Sequence, residues 1–105
     1  MNPPPHKTAY VYLLKSLQTD KFYLGWTTDL KRRVAEHNSG KSYYTKFRGP
    51  WKLVYYEIYK NVNDAKKRER TLKHNPRMLF LFKKRALNKQ EVVDDPTTSS
   101  QEVVG

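Results

Sequence analysis

The apolar pattern of the chain begins at Thr8 and runs to Lys15 as Thr-Ala-Tyr-Val-Tyr-Leu-Leu-Lys. This stretch is β-branched, aromatic and apolar, and its length suits a strand. Polar Gln18-Thr19-Asp20-Lys21 marks a turn, after which Phe22 to Trp26 reads as a second strand returning as a hairpin. From Thr28 the period lengthens. Leu30, Val34 and His37 fall at i, i+4 and i+7, with Thr28 or Asp29 as cap and Asn38-Ser39-Gly40 as stop. The spacing predicts a helix of about ten residues.

Residues 39–51 contain Gly40, Gly49 and Pro50 and read as a loop. Lys52 to Tyr59 is a third strand by the same β-propensity argument. Asn61 or Asn63 can cap a second helix carrying Ala65, Arg68, Glu69 and Leu72, which ends by Asn75-Pro76. Pro76 then suits the first position of a third helix, capped by Asn75, with Met78 to Phe82 as its buried face. The order is ββαβαα. An α+β fold follows: a small three-stranded antiparallel sheet flanked by three helices.

At 105 residues the chain has room for one domain. The folded body is expected at 8–88. Residues 1–7, with three consecutive prolines, and 89–105, with Asp95-Pro96-Thr97-Thr98-Ser99-Ser100, read as disordered ends. The absence of cysteine excludes disulfides, thiolate zinc sites and thiol nucleophiles. The scattered His6, His37 and His74 do not by themselves make a three-histidine metal site. No apolar run approaches the roughly 18–20 residues of a membrane span, and Met1-Asn2-Pro3-Pro4-Pro5 lacks a signal-peptide core. A cytoplasmic protein without membrane contact is the expectation.

Charge narrows the choice of partner. The formal net charge is +11, but no Lys or Arg follows Lys89, where Glu91, Asp94, Asp95 and Glu102 are all acidic. Residues 1–90 hold all 21 basic and six acidic residues, a net of +15. A body this basic is expected to meet nucleic acid. Lys41, Tyr43, Tyr44, Lys46, Arg48 and Trp51 alternate cations with aromatics, a mixture that contacts phosphates and stacks on unpaired bases. Trp51, next to the third strand, is expected to pack instead. Lys31 and Arg32 on the first helix, Lys66, Lys67, Arg70 and Lys73 on the second, and Lys83-Lys84-Arg85 on the third add phosphate contacts.

Candidate chemistry is sparser. Tyr12 and Tyr23 become neighbours if the hairpin closes over 17–20, and Gly25 within a strand signals a bulge or a close approach. Arg33 and His37, at i and i+4, share a helix face at the margin of the core. Glu69 is the one acidic residue of the basic segment 65–73. It either pairs with Arg68, Arg70 or Lys73, or serves a hard divalent cation such as Mg²⁺.

Taken together, Val11-Tyr12, Tyr23-Leu24-Gly25, the segment from Asp29 to Asn38, and Ala65…Arg68-Glu69…Leu72-Lys73 resemble the GIY-YIG endonuclease domain. The closest likeness is to small single-domain bacterial proteins of the URI type, supported by Tyr44-Thr45 and Leu53-Val54-Tyr55-Tyr56-Glu57. The resemblance spans about residues 9–86. It implies catalytic roles for Tyr12, Tyr23, Arg33, His37 and Glu69, with Glu69 holding Mg²⁺ or Mn²⁺. The implied reaction is metal-dependent hydrolysis of DNA, RNA not being excluded, to 5′-phosphate and 3′-hydroxyl ends in repair or recombination. A separate protein would supply targeting. The rival expectation is a binding protein that keeps the fold and cuts nothing, and the retention of Glu69, which helps no polyanion bind, speaks against it.

Overall fold

The computed structural model describes residues 7–89. Its elements are β1 (Ala9–Ser16), β2 (Phe22–Thr27), α1 (Leu30–Asn38), β3 (Trp51–Tyr59), α2 (Val62–Lys73) and α3 (Pro76–Lys89). The expected ββαβαα order is therefore the observed one. The strands form an antiparallel sheet in the order β2-β1-β3. The disordered ends expected at 1–7 and 89–105 lie outside the described residues, apart from Lys7 and from Lys89, which closes α3.

The central strand explains its own composition. Successive side chains of a strand alternate between faces, and β1 is covered on both. Ala9, Val11 and Leu13 join Leu24, Val54, Val62, Ala65, Leu72, Phe82 and Ala86 in one cluster, made with α2 and α3. Tyr12 and Leu14 join Trp51 in a second, against which Leu30 and Val34 of α1 pack. A strand buried on both sides cannot alternate with polar residues, hence the near-continuous apolar run.

The helix ends follow local chemistry. The Asp29 carboxylate caps α1 by accepting from the Arg32 amide, and the Asn61 side chain caps α2 through the Asp64 amide at 2.8 Å. Asn75 accepts from the Met78 amide at 3.1 Å, placing Pro76 in the first turn of α3. Gly40 ends α1 with φ +85°, and the Lys41 amide reaches back to the Glu36 carbonyl at 3.1 Å, a Schellman closure that turns the chain into the 41–50 loop.

Two expectations are corrected. Met78 to Phe82 does not form a continuous buried face: Phe82 and Ala86 are buried, Met78 and Leu79 partly so, and Phe80 and Leu81 face out. A helical period of 3.6 cannot bury five consecutive residues. His37 does not sit at the margin of the core but is closed off at 1% exposure. The cause is the 41–50 loop, which folds over the end of α1.

Candidate active site

The hairpin sets the first pair of groups. In the β1–β2 register Tyr12 faces Gly25 and Leu14 faces Tyr23, so the two tyrosines are diagonal neighbours with ring centroids 6.3 Å apart. Gly25 is there for room. A Cβ at this position would stand 2.7 Å from the Tyr12 hydroxyl and 3.0 Å from the Tyr23 ring, which gives the close approach signalled by a glycine within a strand.

His37 completes a cluster of three rings. Its centroid lies 4.6 Å from that of Tyr23 and 5.8 Å from that of Tyr12. Its Nε2 and the Tyr12 hydroxyl are 2.8 Å apart, and its Nδ1 and the Thr45 hydroxyl are 2.8 Å apart. Burial first, and the Arg33 cation second, hold the imidazole down to about 4, so it is neutral at physiological pH. Tyr12 is pushed well above the ordinary phenol range, chiefly by burial and then by Tyr23, with Arg33 pulling in the opposite direction. Glu69 raises it further, so both charged candidates act on this phenol.

The charged groups are held from the rims. Arg33, about one third exposed, donates from Nη1 to Glu36 Oε1 at 3.0 Å. Glu69 is half-buried, and its Oε2 lies 3.0 Å from Lys73 Nζ, one turn along α2. Of the partners offered for Glu69, Lys73 is the one found. Arg68 pairs instead with Glu57 of β3 through Nε at 3.0 Å and Nη2 at 3.2 Å. Lys73 Nζ also stands 6.0 Å above the Tyr23 ring.

Openness separates the two tyrosines. Tyr12 is 1% exposed, whereas Tyr23 is half-buried and meets the half-exposed Tyr44 at 5.7 Å between centroids. Of the two, Tyr23 is therefore the one with solvent access, and its ring lies against both Tyr12 and His37.

The 41–50 loop presents the expected cation–aromatic surface. Tyr43 and Phe47 are 86% and 79% exposed, Arg48 lies over Tyr44 at 4.7 Å, and Lys46 over Phe47 at 4.8 Å. Trp51 packs, as expected: it is buried, and its indole N–H donates to the Thr45 carbonyl at 2.9 Å. Lys31, Arg32, Lys41, Lys46, Arg48, Lys66, Lys67, Arg70 and Lys73 are all exposed.

Several residues that build this arrangement lie in the segments that carry the resemblance but are given no role of their own by it. Thr45 holds His37, Glu36 holds Arg33, and Glu57 holds Arg68. Asn38, expected only as part of a stop signal, grips the start of β3: its amide donates to the Trp51 carbonyl at 2.9 Å and accepts from the Trp51 amide at 2.6 Å. Thr45 and Asn38 are neutral and Glu57 reaches Arg68 from another element, so neither periodicity nor local charge pattern shows them, whereas Glu36, three residues after Arg33, is readable from helix spacing.

Residues 8–83 match the model of the GIY-YIG catalytic domain. The chain belongs to the GIY-YIG family. A UPF0213 protein of Clostridium perfringens is 45% identical over 65 residues, covering 61% of this chain and 69% of its own length. One from Streptococcus pyogenes serotype M3 is 39% identical over 87 residues, covering 82% of this chain and 83% of its own length. The solution structure of a UPF0213 protein from Bacillus halodurans is similar at a TM-score of 0.51 and 31% identity. That match covers 87% of this chain and 99% of the other. The GIY-YIG match takes in β1, β2, α1, β3 and α2 whole, and with them Tyr12, Tyr23, Arg33, His37 and Glu69. Among the described residues, no helix is long and apolar enough to cross a membrane.

Proposed function

We propose that this GIY-YIG domain is a metal-dependent DNA endonuclease, hydrolysing phosphodiester bonds at the surface shared by Tyr23, Arg33 and Glu69. The observation that carries the proposal is convergence: the Tyr23 ring lies against both Tyr12 and His37, with centroids 6.3 and 4.6 Å apart, and Lys73 Nζ stands 6.0 Å from that ring and 3.0 Å from the Glu69 carboxylate. Phosphodiester hydrolysis needs stabilisation of developing negative charge above all. Arg33, kept in place by Glu36, supplies part of it.

The donor set fits Mg²⁺ or Mn²⁺. Among the described residues no group of three or more His, Cys, Asp or Glu stands close enough together to hold a metal ion. A hard cation that takes one carboxylate and keeps its waters nevertheless needs only Glu69. Bound there, it would supply Lewis-acid stabilisation of the phosphate. Tyr23, the less buried of the two phenols, meets the attacking water and takes its proton as the phenolate, its own proton having gone to solvent beforehand. Tyr12 and His37 fix the floor on which Tyr23 stands. The 3′-oxygen leaves with a proton from solvent, giving 5′-phosphate and 3′-hydroxyl ends. Tyr43, Tyr44 and Phe47 offer stacking faces for unpaired bases among Lys41, Lys46 and Arg48, and DNA repair or recombination is the setting that suits such a substrate.

One observation favours the rival reading of a non-cutting binding protein: Lys73 occupies the Glu69 carboxylate at 3.0 Å. Cleavage of supercoiled and branched DNA by wild type and Glu69→Ala, with and without Mg²⁺ or Mn²⁺, decides between the two. Metal-dependent cutting that vanishes in the variant supports the nuclease. Equal, salt-sensitive DNA binding by both with no cutting supports the rival. A phenolic base also requires a rate that rises on the alkaline side, so a flat profile across roughly pH 6–9 removes tyrosine from that role.

A further inference from the structure

Thr45 lies in the exposed loop between α1 and β3, yet it is fully buried, and both of its polar ends are committed inward. Its carbonyl accepts the Trp51 indole N–H at 2.9 Å, and its hydroxyl meets His37 Nδ1 at 2.8 Å. That hydroxyl also reaches the Ser42 carbonyl at 3.4 Å. Trp51 is in turn tied at both backbone groups by Asn38. The loop is fastened on its other side by Ser16 Oγ donating to the Arg48 carbonyl at 2.7 Å. The position of the Thr45 hydroxyl is thus set by packing from several sides.

A neutral imidazole carries one proton, and the two arrangements of this chain of bonds are not equivalent. With the proton on Nδ1, His37 donates to Thr45, Thr45 donates to the Ser42 carbonyl, and the Tyr12 hydroxyl donates to Nε2. Every donor then has a protein acceptor. With the proton on Nε2, His37 donates to Tyr12, and the buried Tyr12 hydroxyl hydrogen loses the acceptor at 2.8 Å. An unsatisfied buried donor costs about 1–3 kcal/mol. Which nitrogen is protonated is set by the partner of the other, and here Thr45 and Ser42 form that partner chain.

We propose that Thr45 is a positioning residue that holds His37 in its Nδ1–H form, so that Nε2 accepts the Tyr12 hydroxyl and fixes the floor beneath Tyr23. The catalytic consequence rests on the nuclease reading, but the tautomer does not. The test is long-range ¹H–¹⁵N NMR of His37 in wild type, Thr45→Val and Thr45→Ser, with neither metal nor DNA present. Amide spectra report whether each variant keeps the fold. The wild type and Thr45→Ser are expected to be Nδ1–H; in Thr45→Val, of equal size but without the acceptor, each tautomer strands one buried donor, so the preference is expected to collapse to a mixture of Nδ1–H and Nε2–H. A wild type that is Nε2–H overturns the proposal, as does a folded Thr45→Val that stays as fully Nδ1–H as the wild type. If Thr45→Val fails to fold, the wild-type and Thr45→Ser tautomers decide alone. On DNA, Thr45→Val is expected to lose roughly 10- to 100-fold in rate with unchanged DNA affinity, and Thr45→Ser to recover it. If the wild type cuts nothing, the nuclease reading fails and the tautomer result stands.

Discussion

Gly25 and Tyr12 face each other across the β1–β2 ladder so closely that the phenol tip fills the space where a Cβ of residue 25 would be, 2.7 Å from its hydroxyl. Tyr12 is buried and its hydroxyl is bonded to His37, so the ring has no free direction in which to retreat. Gly25→Ala is expected to cost about 1–3 kcal/mol, the range for overpacking, despite the gain in strand propensity. Urea unfolding of the variant checks the size. A neutral or stabilising result would mean that the Tyr12 ring moves freely.

The buried imidazole makes stability depend on acid. His37 is held down to about 4 in the folded chain, against an ordinary value near 6.5. Between those values the unfolded chain binds the proton and the folded one does not, so stability falls as pH drops from about 6.5 towards 4. The loss is on the order of 3 kcal/mol at the acid end. His37→Asn removes the titrating group, and its unfolding free energy should vary less over that window than the wild type's. Parallel curves for the two proteins would show that His37 is not the source.

Much of this was legible in the residues. Strand composition and the i, i+4, i+7 spacing of Leu30, Val34 and His37 predict the order of elements, because each segment's local preference agrees with the face it buries. The caps Asp29, Asn61 and Asn75 are local motifs and sit where they were expected. The neighbourhood of Tyr12 and Tyr23 followed from the hairpin. The burial of His37 did not, because it depends on a loop 41–50 whose path is set by Asn38, Trp51 and Ser16 over long sequence distances. The partner of Glu69 was one of three offered by spacing. Glu57 claims Arg68 from another strand, and no local rule foretells that.

Glu57 joins β3 to α2 and orders a second group as well. It accepts two bonds from Arg68, and the Tyr59 hydroxyl donates to it at 2.7 Å. Burial first, and this bond second, push Tyr59 up to about 12. Glu57→Gln is expected to destabilise by about 1–3 kcal/mol, the worth of charge-assisted bonds, and to return the Tyr59 titration towards 10. Spectrophotometric titration against a Tyr59→Phe control reads the second effect. An unchanged phenol titration would remove Glu57 as a cause.

The loop aromatics are expected to bind without stabilising. Tyr43 and Phe47 are too exposed to contribute to the core, so Tyr43→Ala and Phe47→Ala should leave stability within about 0.5 kcal/mol. Against single-stranded DNA each should lose about 1–3 kcal/mol of binding, the value of one stacked base. Fluorescence anisotropy at fixed salt measures it. Affinity unchanged in both variants would assign binding to the cations alone.

Lys73 and Glu69 stand 3.0 Å apart, with the lysine nearly half exposed and the carboxylate mostly covered. Ion pairs this open are worth about 0–1 kcal/mol, so a divalent cation has only a small competitor to displace. Lys73→Met is expected to tighten Mn²⁺ binding by about two- to fivefold, the upper part of that range, while Glu69→Gln abolishes it. Titration of Mn²⁺ followed by electron paramagnetic resonance measures both without DNA or turnover. Binding that survives Glu69→Gln would place the cation elsewhere. Weaker binding in Lys73→Met would make the lysine a support of the carboxylate and not its competitor.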